Sequence, residues 1–249
     1  MLRRFSNDKE RKNSVLCFLV ESEIISSAKL DLNRADLSHA SLRGADLEGV
    51  GLYAADLSNA LLRNANLRGA NLALANLRGA NLENANLIDA NLYGADLRGA
   101  NFENAKLIRV NCSQAVLTGA KFFGADLTKA TLAWIKAHNV DFSRADLTDS
   151  NLIIADLQNC DFDLANLSGA NLGSADLKDA NLQNAVFRTD KQLYLTSEQF
   201  SWTQEQIAQE RRELADEQLA LALEQLSSAK LCGTKLPKGI DLDSNRDCE

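Results

Sequence analysis

Residues 65–87 read ANLRGANLALANLRGANLENANL, with a leucine at every fifth position and an alanine two residues ahead of each. A strand buries alternate residues, and a helix rotates residues five apart by about 140°, so neither keeps these leucines on one side. A chain that turns a corner every five residues does. Four such sides close a square of twenty residues, with Leu and the preceding Ala pointing inward and the other three positions outward. Squares stacked at about 4.8 Å, the spacing of neighbouring strands, can hydrogen-bond one to the next, so the expected fold class is an all-β solenoid.

The register runs well beyond this stretch. Every fifth position from Leu32 to Phe187 is Leu or Phe except Cys112 and Ala137, which gives thirty-two pentapeptides without a slip. Asp or Asn usually stands between the Ala and the Leu, and the two residues after the Leu read as freely variable surface positions. Thirty-two units make about eight coils and a rod roughly 35–40 Å long. Each coil depends on its neighbours, and open ends need covers.

The units ADLSH (35–39), ANLRG (65–69), ADLRG (95–99) and ANLSG (165–169) follow the pattern A(D/N)LXX, and residues 30–189 resemble the pentapeptide-repeat family. That resemblance implies a right-handed quadrilateral β-helix. The flanks supply α-helical caps for both ends: an N-terminal capping helix in 1–29 and a helical cap with a tail in 190–249. Upstream, Asn7 or Asp8 can cap a helix whose Val15, Leu16, Leu19 and Val20 gather opposite Lys9, Arg11 and Lys12. Downstream, the five-residue register is read as ending at Phe187. Thr203 and Gln206 then form a capping box, and Ile207, Leu214 and Leu221 fall seven apart. A helix over about 203–228 would be about 39 Å long, so it must break or overhang one end of the rod. The ending LCGTKLPKGIDLDSNRDC (231–248) is similar to the tail of a subset of this family, in which a Cys after the last helix accompanies one near the terminus. The similarity implies a possible disulfide between Cys232 and Cys248.

Across 249 residues, 27 basic and 34 acidic side chains leave a net charge of −7, which gives no general attraction to nucleic acid or an anionic membrane. The longest apolar run, VLCFLV at 15–20, falls far short of the roughly 18 residues needed to span a bilayer, and no small-residue cleavage site follows it. A cytoplasmic protein is expected.

A filled interior offers no pocket for catalysis, so no catalytic residue, cofactor or small-molecule substrate is expected. His39 and His138 lie five coils apart, about 24 Å, and cannot share a metal. Cys112 stands in a Leu slot and Cys160 in an Ala slot, as small core residues, and no CxxC pair suggests zinc. The repeated Asp and Asn are better suited to bonding the backbone at each corner than to holding calcium. At TLAWIKAHNV (131–140) the inward pair is Ile135 and Ala137, the usual small-then-large order reversed. Packing tolerates that exchange.

Because the register never slips, residue number modulo twenty assigns each outward residue to a side. Three sides mix acidic and basic residues. The fourth, centred on Leu32, Leu52 and their successors to Leu172, has only Asp31 and Arg34 as charges and includes Tyr53, Leu74, Tyr93, Trp134, Ile153 and Ile154. An apolar patch of several hundred Å² is seldom left bare, so these six are candidate partner-binding residues for another protein or a second copy, unless the chain's own C-terminal helix covers them. The expected function is non-enzymatic protein binding or scaffolding, without direct contact with nucleic acid or membrane. The alternative comes from the resemblance: some family members that confer quinolone resistance are thought to mimic DNA toward a topoisomerase, gyrase. A mimic needs a continuous negative stripe, and the 18 acidic residues of this solenoid are interleaved with 14 basic ones.

Overall fold

The computed structural model of the chain describes residues 31–187, 220–226, 228–237, Leu242 and Cys248. Residues twenty apart pair in parallel, from Asp31 with Gly51 to Asn166 with Val186, so each coil lies in register on the next. We number the coils from residue 31, so that coil 5 is 111–130 and coil 8 starts at 171.

One unit, 76–80, shows why the pattern has five positions. Asn76 N donates to Ala55 O of the coil below, at 2.9 Å. Leu77 N and Gly79 N donate upward to Asp96 O and Arg98 O, at 2.8 and 2.9 Å, and Ala80 N closes the corner on Leu77 O at 3.0 Å. The fifth donor, Arg78 N, is taken by Asn76 Oδ1 at 3.2 Å. Every backbone N–H of the unit is thus paired, and where Asp or Asn precedes the Leu it can supply the acceptor that the backbone cannot.

The two residues after the Leu are not equivalent. At every corner from Arg34 to Asp179 the second of them has φ between 52° and 71°, while no non-Gly residue in the first position has positive φ. Positive φ at the third of the four turn residues is the sign pattern of a type II turn. This corrects the reading of both positions as free. Gly, Asn and Asp fill many of these corners, as the left-handed region favours.

Inside, the Leu and Ala columns form one continuous core, fully buried for most of its length. On one side Phe102, Phe122, Phe142 and Phe162 stack coil over coil, with ring centroids 4.7, 5.2 and 5.1 Å apart. The reversed pair Ile135 and Ala137 is buried within this core, as are Cys112 and Cys160.

At the C-terminal end the structure departs from the expected loss of register at Phe187. Residues 220–226 are helical, with Ala222 and Leu226 buried against the last coil. The chain then takes up the coil again. Ala229 N closes a corner on Leu226 O at 3.1 Å, Lys230 pairs with Asp176, and Lys235 pairs with Asn181. Leu231 is buried, Gly233 has φ +68°, and the buried Thr234 hydroxyl donates to Leu177 O. Coil 8 presents unpaired backbone along its upper edge, and 229–235 satisfies part of it as the start of a ninth coil. The expected upstream helix in 1–29 and the part of the downstream helix before Ala220 lie outside the described residues.

Candidate functional site: the uncharged side of the rod

The pairing from Gly51 through Asn71, Asn91, Asn111, Thr131 and Asn151 to Asn171 runs along one edge of a single side. Its amides join coil to coil, Asn91 Nδ2 to Asn71 Oδ1 at 3.3 Å and Asn111 Nδ2 to Asn91 Oδ1 at 3.4 Å. Amide oxygens of this column also hold the corners, with Tyr93 N on Asn91 Oδ1 and Ile153 N on Asn151 Oδ1, both at 3.1 Å. The six sequence-derived residues therefore stand on one surface backed by saturated backbone.

Trp134 is 57% exposed, Leu74 49%, Ile154 40% and Tyr93 39%, while Tyr53 and Ile153 are half-buried. They form two groups. Tyr53, Leu74 and Tyr93 cover coils 2 to 4, and Trp134, Ile153 and Ile154 cover coils 6 and 7. Coil 5 separates them with Ser113 and Gln114, and Tyr93 Oη reaches across to donate to Gln114 Oε1 at 2.8 Å. Between the large residues, Ala73 and Ala133 are buried, and Gly94 and Gly173 carry no side chain. Leu74 leans over Gly94 so closely that a methyl there would meet its Cδ2 at 2.7 Å. Beside Gly173, a cleft of about 360 Å³ opens between coil 8 and the helical segment, lined by Leu172, Leu221, Glu224 and Gln225 among others.

On the other sides several charges are paired. Arg63 meets Glu83 at 2.7 Å and Arg109 meets Asp89 at 2.6 Å, each across one coil, Arg98 pairs with Asp96 within its own unit, and His138 pairs with Asp156 of the next coil. Hydrogen bonds from Arg109 hold the Asp89 carboxyl below its ordinary range, and Arg98 does the same for Asp96. Phe123 and Leu164, both exposed on the side that holds the internal Phe stack, escaped the sequence reading. The Arg144 guanidinium carbon lies 5.6 Å from the centre of the Phe123 ring. The same modulo-twenty map would have flagged both.

Burial pushes the thiols of Cys112 and Cys160 up to about 12, so at neutral pH they stay protonated and weakly nucleophilic. Cys232 and Cys248 are joined as a disulfide, with Cα atoms 4.9 Å apart. Among the described residues no group of three or more His, Cys, Asp or Glu is placed to hold a metal ion, and no helix is long and apolar enough to cross a membrane.

The family model described as pentapeptide repeats matches in eight copies lying between residues 31 and 188. None of the curated proteins compared with the chain matches it. Among solved structures, HetL, a pentapeptide-repeat protein involved in heterocyst differentiation regulation in the cyanobacterium Nostoc sp. strain PCC 7120, is 28% identical. That match covers 68% of this chain and 87% of HetL, with a TM-score of 0.40. A trypsin-treated variant of QnrB1, a plasmid-mediated fluoroquinolone resistance protein, is 22% identical over 68% of this chain and 84% of its own, with a TM-score of 0.48. The pentapeptide-repeat protein alr5209 from Nostoc PCC 7120 is 36% identical over 49% of this chain and 85% of its own, with a TM-score of 0.26.

Proposed function

Since this chain belongs to the pentapeptide-repeat family, whose members fold as right-handed quadrilateral β-helices, we propose that it is a non-enzymatic rod that binds a protein through its uncharged side. The observation that supports this is where the large apolar groups stand. Leu74, Trp134 and Ile154 occupy left-handed corners, with φ of 58°, 62° and 56°. Left-handed backbone costs ordinary L-residues roughly 1–2 kcal/mol, and a bulky or β-branched side chain there is unusual. Gly or Asn would relieve that strain and leave no exposed apolar surface. Side chains that cost stability and contribute exposed area make sense as contacts for a partner. In this reading helices cap both ends of the rod and the protein works in the cytoplasm.

A DNA-mimicking inhibitor or protector of gyrase is the second reading. Pairs such as Arg109 with Asp89 and Arg63 with Glu83 break up the acidic columns along the rod, so the first reading fits the surface better. Proteins captured from host extract by the intact chain should be lost with Trp134→Glu and retained with Ser58→Glu, which alters another side. Identical capture by all three would remove the binding side from consideration. Salt-sensitive inhibition of supercoiling at micromolar protein would favour the mimic instead.

A further inference from the structure

Of the described cysteines, Cys112 and Cys160 are sealed in the core, while Cys232 and Cys248 are joined where a reductant can reach them. Cys232 stands in the start of the ninth coil, and Cys248, sixteen residues on in the tail, is exposed. We propose that this disulfide is a redox-operated latch: it holds the C-terminal tail over the last coil, and its reduction by a dithiol frees the backbone edge of coil 8. The latch stands apart from the uncharged side and does not depend on what that side binds.

What the latch guards is a ladder of backbone hydrogen bonds. Leu177 N, Asp179 N and Leu182 N donate to Lys230 O, Cys232 O and Lys235 O, at 2.8, 2.7 and 2.7 Å. In return Lys230 N and Lys235 N donate to Ala175 O and Ala180 O, both at 2.8 Å. Cys232 is thus itself a rung of the ladder. The sequence shapes the segment for its place. Leu231 is fully buried, and Gly233 takes a left-handed corner over Asp179, where a methyl would collide with the Asp179 Oδ1.

The segment has little else to hold it. A mid-rod unit such as 76–80 is bonded to coils on both sides, whereas 229–235 makes little more than one side of a square and, among the described residues, bonds only down to coil 8. Its cover is the tail, from which Leu236 and Leu242 pack against the core. The disulfide ties that tail to the coil beneath it. With the bond made, the tail is a closed loop that stays down. With it broken, the ladder is left to a short segment of few apolar contacts, the kind of element that opens before the rest of a fold does.

The chemistry is thiol–disulfide exchange. Cys232 is half-buried, so the exposed Cys248 Sγ is the open point of attack. A thiolate of the dithiol bonds to Cys248 Sγ, the S–S bond breaks, and Cys232 leaves as a thiolate that takes up a proton. The second thiol of the reductant then displaces Cys248 from the mixed disulfide and closes the reductant's own disulfide. Two electrons and two protons pass in all from the dithiol to the cysteine pair, and a disulfide reagent reverses the exchange. Exposed disulfides are the labile and regulatory ones, and in the cytoplasm proposed above the disulfides that do form are mostly redox-sensing or catalytic. Reduced, the rod would carry an open β edge, a surface to which an extended strand can add.

Hydrogen exchange on the full chain tests the latch. Reduction with dithiothreitol should speed exchange at Leu177 N, Asp179 N and Leu182 N by at least about tenfold and leave Leu77 N and Leu97 N unchanged. Removing the reductant and adding glutathione disulfide should restore protection. Cys248→Ser should show the fast rates without reductant and ignore it when added, with slow mid-rod rates certifying that the variant is folded. The proposal is overturned by equal protection of the three amides in both redox states, by acceleration spread evenly into mid-rod, by no recovery on reoxidation, or by a Cys248→Ser protein as protected as the oxidised wild type.

Discussion

Replacing Leu77 by Asn tests the inward assignment on which the coil depends. Leu77 is fully buried in mid-rod, between Leu57 and Leu97 of the adjacent coils, which are buried to the same degree. Removing its side chain from the core forfeits about 1.5–3 kcal/mol of apolar burial. The replacement amide finds an interior walled by Leu and Ala, and an unpartnered buried polar group costs roughly another 1–3 kcal/mol. The total, on the order of 2.5–6 kcal/mol, is a large share of a typical domain's stability. Asn84→Asp is the control. Asn84 sits at an exposed corner with φ 58°, which Asp tolerates, so the change should stay within about 0.5 kcal/mol. Urea melts give both shifts. Hydrogen exchange at Leu57 N and Leu77 N, which donate to Asn76 O and Asp96 O, shows whether the damage spreads to adjoining coils. A loss below about 1 kcal/mol for Leu77→Asn, or equal losses for the two variants, would refute the inward assignment.

The corner geometry is separable from packing at Gly99, where φ is +65° and nothing lies within 4 Å of an added Cβ. Gly99→Val should cost about 1–2 kcal/mol and Gly99→Asn clearly less, and equal melts would contradict the left-handed corner. With a maleimide at pH 8, Cys112 and Cys160 should stay unlabelled in the folded protein, while Cys232 and Cys248 should label only after a dithiol reductant, as mass spectrometry of the labelled peptides will report. Asp96 has a depressed folded-state pKa, so its stabilising contribution is present above the ordinary carboxylate range and is lost as pH falls through the depressed value. Arg98→Ala should move the NMR titration midpoint of Asp96 upward, and an unmoved midpoint would rule out Arg98 as the cause.

The inward columns were legible because Leu and Ala differ so sharply from everything else that a period of five stands out. The corners were not. Their requirement is a backbone angle that Arg34, Trp134 and Ile154 can all be made to adopt, so residue type identifies it only statistically. Phe102, Phe122, Phe142 and Phe162, twenty apart, state the length of the coil more directly than the Leu repeat does, yet in a list of Leu-or-Phe positions they pass unnoticed. The return of the coil was hidden for a different reason. Leu221, Leu226, Leu231 and Leu236 are five apart, but Leu221 also fits the seven-residue spacing from Ile207, and the helical pattern took precedence. On the uncharged side the large residues were found by their hydrophobicity. That Ala73 and Ala133 are covered was not legible, since the burial of a small outward residue depends on the larger neighbours around it.

The unbroken register from Leu32 to Phe187 imposes a grammar on changes of length. Inserting one, two or four residues without looping them out would turn every downstream Leu toward water, and inserting three would force each Leu into the inward slot that holds Ala, much as a frameshift garbles a message. Inserting five preserves the core but advances everything beyond by a quarter turn, so that Trp134 would swing onto a neighbouring wall while Tyr93 stayed where it was. Only a duplication or deletion of twenty residues returns each wall to its own orientation. Even that changes the spacing between the large residues along the uncharged side. For a gene built of such units, lengthening the rod is thus an easy edit by the standard of folding and a strict one by the standard of recognition.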